Sequence, residues 1–131
     1  MIGLDTNVLV RYIMQDDAKQ AAKAAALVES LTAEVPGFVS LVSVVELGWV
    51  LSSSYDLTRE QVAQTLDLLL RTKQVVVDRA DQVLSALRVF KAGSAEFADC
   101  LIARTAANAG CDRTMTFDAG AAKTAGMTLI R

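Results

Sequence analysis

A chain of 131 residues that is 53 % hydrophobic is long enough to bury one real core and too apolar to be a disordered segment. It has no histidine, which excludes a Ser-His-Asp triad, a histidine proton shuttle and histidine-ligated zinc, so any chemistry falls to carboxylates and a hard cation. The net charge of −2 and the 5 % aromatic content advertise neither a basic nucleic-acid patch nor a stacking platform for single strands.

Met1 to Leu4 predicts a short buried strand, and Asn7 to Met14 a short helix. The acid at position 5 and the lack of a basic n-region argue against a secretory signal. Asp17 suits the N-cap of an Ala-rich helix from Ala18 to Leu31. The only proline sits in Val35-Pro36-Gly37, a break before a short strand from Phe38 to Ser40. A strongly apolar helix follows from Leu41 to Leu51. Thr58-Arg59-Glu60-Gln61 has the form of a capping box opening a helix to Arg71. Val75 to Val77 reads as a β-branched strand, and a helix starts between Asp78 and Asp81 and runs to Gly93. Ser94 suits the N-cap of a helix from Ala95 to Asn108. Arg113 to Thr116 and Thr128 to Ile130 are short strands with a weak helical turn between them.

Strands alternating with helices imply parallel βαβ units, hence a single α/β domain over residues 1–131 around a small, mostly parallel sheet. No apolar run approaches the roughly 18 residues needed to span a bilayer. Cys100 and Cys111 form no C-x-x-C pair, and reduced thiols in a cytoplasmic protein are the expectation.

Four acids stand in apolar or strand-end settings: Asp5, Glu46, Asp99 and Asp118. Ligands of open α/β sheets bind beyond the carboxyl ends of the strands. Asp5 follows the first strand and Asp118 the fourth, so both are expected at one edge of the sheet. Glu46 has Val42, Ser43, Trp49 and Val50 as helical neighbours and is expected to be poorly solvated. Asp99 lies near the start of its helix, where a carboxylate is favoured. Singly, each has a plain alternative as a cap, a turn residue or a solvated acid. Together they form a donor set suited to Mg²⁺ or Mn²⁺. Thr6, Asn7, Ser43 and Thr116 adjoin the acids and are candidates to orient them. Arg11 and Arg104 lie about a helical turn from site acids and are candidates for substrate contact, with a solvated arginine as the equal alternative. Without the four acids, eleven remain against thirteen Lys+Arg. The rest of the chain is then +2, and a polyanionic substrate stays open.

In order along the chain, Leu4-Asp5-Thr6-Asn7-Val8-Leu9, Glu46 in its apolar helix, Phe97-Ala98-Asp99-Cys100-Leu101-Ile102-Ala103 and Thr116-Phe117-Asp118 resemble the PIN domain family, and within it the VapC-like ribonuclease toxins of prokaryotic toxin–antitoxin pairs. The resemblance implies a three-layer α/β/α sandwich and a metal-dependent endoribonuclease with one or two Mg²⁺ or Mn²⁺ ions. Asp5, Glu46, Asp99 and Asp118 would be its acidic quartet. It also implies an RNA substrate, a homodimer and a small antitoxin that covers the active-site groove. Many relatives carry a basic or aromatic residue soon after the last acid. Here Ala119-Gly120-Ala121-Ala122 follows, and the first basic residue is Lys123.

Two other readings compete. A non-catalytic PIN-like module would use the acids to hold a structural metal or a partner's arginines. A haloacid-dehalogenase-type phosphatase also begins with an acid after a strand, but it needs a second Asp two residues on, where this chain has Asn7.

Overall fold

The computed structural model describes residues 1–131. In chain order the elements are β1 (Ile2–Gly3), α1 (Thr6–Met14), α2 (Ala18–Ser30), β2 (Gly37–Val39), α3 (Leu41–Ser53), α4 (Arg59–Arg71), β3 (Val75–Val77), α5 (Ala80–Ala92), α6 (Phe97–Asn108), β4 (Met115–Thr116), α7 (Ala119–Thr124) and β5 (Thr128–Leu129). The fold is a mixed α/β domain with short parallel strands and helices packed about them, as expected of an α/β/α sandwich.

Helix starts follow the side chains available to satisfy orphan N–H groups. Asp5 accepts from the Thr6 N–H at 2.8 Å and Asp17 from the Gln20 N–H at 3.0 Å. Thr58 and Gln61 form the reciprocal capping box that the sequence announces. Asp118 caps α7.

The expected helix from Ala95 instead begins at Phe97, with Glu96 at the N-cap position and no side-chain cap bond. Ser94 is not the cap. The connection before α6 is held from outside: the Arg59 guanidinium donates to the carbonyls of Phe90, Gly93 and Ala95. Ala95 itself is buried.

Strands β1, β2 and β3 pair in parallel in that order, with Ile2 opposite Gly37 and Gly37 opposite Val75. Strands β4 and β5 pair in parallel as a separate two-stranded sheet. The strands therefore form two parallel ladders rather than one continuous sheet. β1 is also more open than expected: Ile2 and Gly3 are exposed, and burial begins at Leu4.

Val39, Val44, Leu47, Leu51, Ala86 and Leu87 have no accessible surface, so the most buried part of the single core is built from β2, α3 and α5. Leu4 and Leu31 close over Gly37. A Cβ there would stand 2.8 Å from Leu4 Cδ1 and 2.9 Å from Leu31 Cδ1, so a larger residue at this strand start would push the ends of those two leucines aside. No helix is long and apolar enough to cross a membrane.

Candidate active site

Asp5 and Asp118 occupy equivalent places. Each follows the end of a parallel strand and caps the next helix. The Asp5 carboxylate is tied to the Thr6 N–H. Asp118 Oδ1 accepts from Gly120 N at 2.8 Å and Ala121 N at 3.3 Å, while its own N–H donates to Thr116 Oγ1 at 3.0 Å. Thr116 thus holds the backbone of the turn that presents Asp118. Because β1 and β4 lie in different ladders, the two acids do not share the edge of one sheet.

Glu46 projects from the middle of α3 and is exposed. The expectation of a poorly solvated carboxylate fails for a definite reason. The helix buries Val44, Leu47, Gly48 and Leu51, which turns the opposite apolar stripe to solvent. Val42 is 76 % exposed and Trp49 66 %. Leu41, Val42, Val45, Glu46, Trp49 and Ala98 line one groove of about 480 Å³. Glu46 therefore shares a surface with the start of α6, where Asp99 follows Ala98.

Asp99 is the third residue of α6, half-buried beside Phe97, Cys100 and Leu101, which are buried. Burial pushes the Cys100 thiol up from its ordinary range, and the neighbouring Asp99 charge adds to this, against the opposing pull of Arg59. Both cysteines are free, Cys100 buried and Cys111 exposed.

By chemistry the four carboxylates suit a hard divalent cation. No three acids or cysteines stand close enough together to hold an ion, and Asp5, Glu46 and Asp118 all face solvent.

The supporting candidates separate in the structure. Thr6 is buried, and its Oγ1 has no hydrogen-bond partner. Asn7 is exposed on the wall of a groove between α1 and α2. Ser43 belongs to the α3 cap: its N–H donates to Ser40 Oγ at 3.2 Å, and the two hydroxyls are 3.3 Å apart. Arg104 is half-buried and makes no ion pair.

Arg11 is committed elsewhere. Its Nε donates to Gln20 Oε1 at 2.7 Å, and its Nη1 to Asp16 Oδ1 at 3.2 Å and Tyr55 Oη at 3.1 Å. Tyr55 Oη donates to Asp16 Oδ2 at 2.7 Å. This network pins the α1–α2 connection to the segment after α3. Tyr55 and Asp16 raise the Arg11 pKa. The Tyr55 hydrogen bond, helped by Arg11, holds the Asp16 carboxyl below the usual range. The bond to Asp16 and partial desolvation raise the Tyr55 phenol. Arg11 is thus a structural cation on three partners through Nε and Nη1.

Two other cations gain importance only from the tertiary structure. Arg59 clamps the loop that leads into α6, and its guanidinium carbon lies 4.0 Å from the Phe90 ring centroid. Lys23, exposed on α2, lines the same groove as Asn7. Its one advance signal is Lys19 a turn earlier on the same Ala-rich helix.

The family model of the PIN domain matches residues 2–127. No curated protein matches the chain.

Proposed function

Because the chain belongs to the PIN domain family, whose members are generally nucleases and typically use divalent metal ions, we propose that it is a metal-dependent endoribonuclease and the toxin of a type II toxin–antitoxin pair. The observation that carries this reading is the set of four acids within the matched span. Asp5 and Asp118 each follow a parallel strand, Asp99 opens α6, and Glu46 faces the same groove as the start of α6. Carboxylates at all four positions favour catalysis over the non-catalytic alternative, which need not keep all four.

Mg²⁺ or Mn²⁺, one ion or two, supplies Lewis-acid chemistry for phosphodiester hydrolysis when bound. Asp5 and Asp99 would be its principal ligands, with Asp118 and Glu46 completing the set. Exposed Glu46 or Asp118 takes the proton from the attacking water, since no histidine is present to do so. The Thr116 hydroxyl holds the Asp118 turn, and Asp5 keeps its orientation through the α1 cap.

We place a homodimer contact on the exposed apolar stripe of α3, around Val42 and Trp49, because large apolar side chains clustered on a surface favour a protein partner. The small antitoxin would act by covering the acids.

The test is cleavage of a labelled RNA with Mg²⁺ or Mn²⁺ against an EDTA control, using wild type and Asp5→Asn. Metal-dependent cleavage by wild type alone, with unchanged thermal unfolding of the variant, is the expected result. Equal cleavage by Asp5→Asn would remove Asp5 from the site. No cleavage by wild type would favour the non-catalytic module.

A further inference from the structure

Helices α1 and α2 leave between them a groove of about 450 Å³. Asn7 and Arg11 stand on the α1 wall, Gln20 and Lys23 on the α2 wall, and Val8 and Leu27 form the apolar part. Asn7 is two residues from Asp5, and Arg11 lies one turn further on, about 6 Å along the axis. The groove therefore leads away from a candidate site acid.

Its charges are unequal in availability. The Arg11 cation is matched by Asp16, and its Nε and Nη1 are already bonded. Lys23 makes no ion pair. The ion pairs of the chain are Arg11–Asp16, Arg71–Asp67 and Lys91–Asp67. Lys19, exposed one turn before Lys23 on the same face of α2, is unpaired as well. The groove thus offers the unneutralised ammonium group of Lys23 and the side-chain amide of Asn7, and it begins two residues from Asp5, one of the candidate site acids. A polyanion approaching those acids is repelled unless cations meet its next phosphates.

We propose that the α1–α2 groove carries the phosphodiester backbone of the RNA adjoining the scissile bond, with Lys23 as its principal phosphate contact. This rests on the endoribonuclease reading and adds to it a path and a residue for the substrate. The chemistry favours a phosphodiester chain over a peptide. An amphipathic peptide helix needs a broad apolar floor, and only Val8, Leu27 and Ala24 provide one here. A phosphate chain needs positive charge and hydrogen-bond donors, and reads no base where it makes only those contacts.

The test is binding of a short labelled single-stranded RNA in EDTA, by anisotropy, across a salt series. Wild type is compared with Lys23→Ala and with Lys91→Ala, whose cation lies on α5 and pairs with Asp67. Lys23→Ala is expected to weaken binding several-fold and to reduce the slope of log K against log salt by about 0.7, the loss of one single-strand phosphate contact. Lys91→Ala should change neither. With Mg²⁺ or Mn²⁺, Lys23→Ala should raise KM and leave kcat unchanged. Lysine to alanine on an exposed helix face favours the helix, so folding is not at risk.

An unchanged salt slope in Lys23→Ala overturns the proposal. So does weakened binding of a polyglutamate peptide with RNA binding intact, which would make the groove a protein site. The endoribonuclease reading is judged separately. A wild type that never cleaves RNA while Lys23→Ala still lowers the slope leaves a binding groove without that activity. Normal cleavage with an unmoved slope leaves the activity without this groove.

Discussion

Replacing Arg59 by alanine removes one side chain that joins three parts of the fold. Nη1 donates to Ala95 O at 2.7 Å, and Nη2 to Phe90 O at 2.7 Å and Gly93 O at 3.1 Å. The guanidinium also lies over Phe90, which meets Phe97 edge to face at 5.9 Å. Gly93 is exposed, and water replaces the arginine at its carbonyl with little loss. The two part-buried bonds contribute about 1 kcal/mol each. The cation–π contact adds about 0.5–1 kcal/mol at a partly exposed position. Arg59→Ala is therefore expected to cost about 2.5–3 kcal/mol. For a chain of this length that lowers Tm by roughly 10 °C. Arg59→Lys keeps the charge but not the planar fork and is expected to recover less than half of the loss. Calorimetry and urea unfolding of the three proteins measure this. Because the clamped loop sets where α6 begins, and so where Asp99 stands, RNA cleavage should fall in Arg59→Ala even at temperatures where it is fully folded. A Tm within about 3 °C of wild type would refute the accounting. Full activity in the folded variant would refute the link to Asp99.

Two further outcomes follow from the titrating groups. Asp16 is held below the usual carboxylate range, first by the Tyr55 hydroxyl. A depressed folded-state pKa stabilises the fold fully above the unfolded value of about 4 and loses that stabilisation as pH falls through the folded one. Tyr55→Phe should therefore be less stable than wild type at neutral pH, with the difference shrinking in acid; a constant difference down the acid limb would refute the role of this contact. For the thiols, Cys111 is exposed and Cys100 is buried with its pKa raised by that burial. One thiol should react promptly with an aromatic disulfide at neutral pH and the second only on unfolding; two prompt thiols would show that the start of α6 is open.

Much of the architecture was readable because the signals are local. Thr58 and Gln61 announce a capping box, Asp17 an N-cap, and Val75 to Val77 a strand, and each forms as read. The cap contacts span three residues or so, and the chain makes them wherever it lies in space; the strand is announced by its β-branched run, although its ladder partners Gly37 to Val39 are distant. The start of α6 was misread because its determinant is distant in sequence: Ser94 looks like a cap, but Arg59, 36 residues before Ala95, holds the loop. The same limit applied to Arg11, whose partner Tyr55 is 44 residues away.

For the candidate site, the residue types and their order along the chain were determined by sequence alone. Four carboxylates and no histidine specify which chemistry is open, since composition alone decides which donors and acids exist. Sequence also placed Asp5 and Asp118 after strands and Asp99 at a helix start. The tertiary structure decided which of these residues face water and which neighbours they share. The apolar surroundings of Glu46 suggested burial, yet a helix has two sides, and packing chose Val44, Leu47 and Leu51 for the core. That choice depends on which elements α3 meets, and no periodicity within α3 can state it. The division of the strands into two ladders belongs to the same class. It arises from pairings between distant segments, which are settled only when the whole core closes.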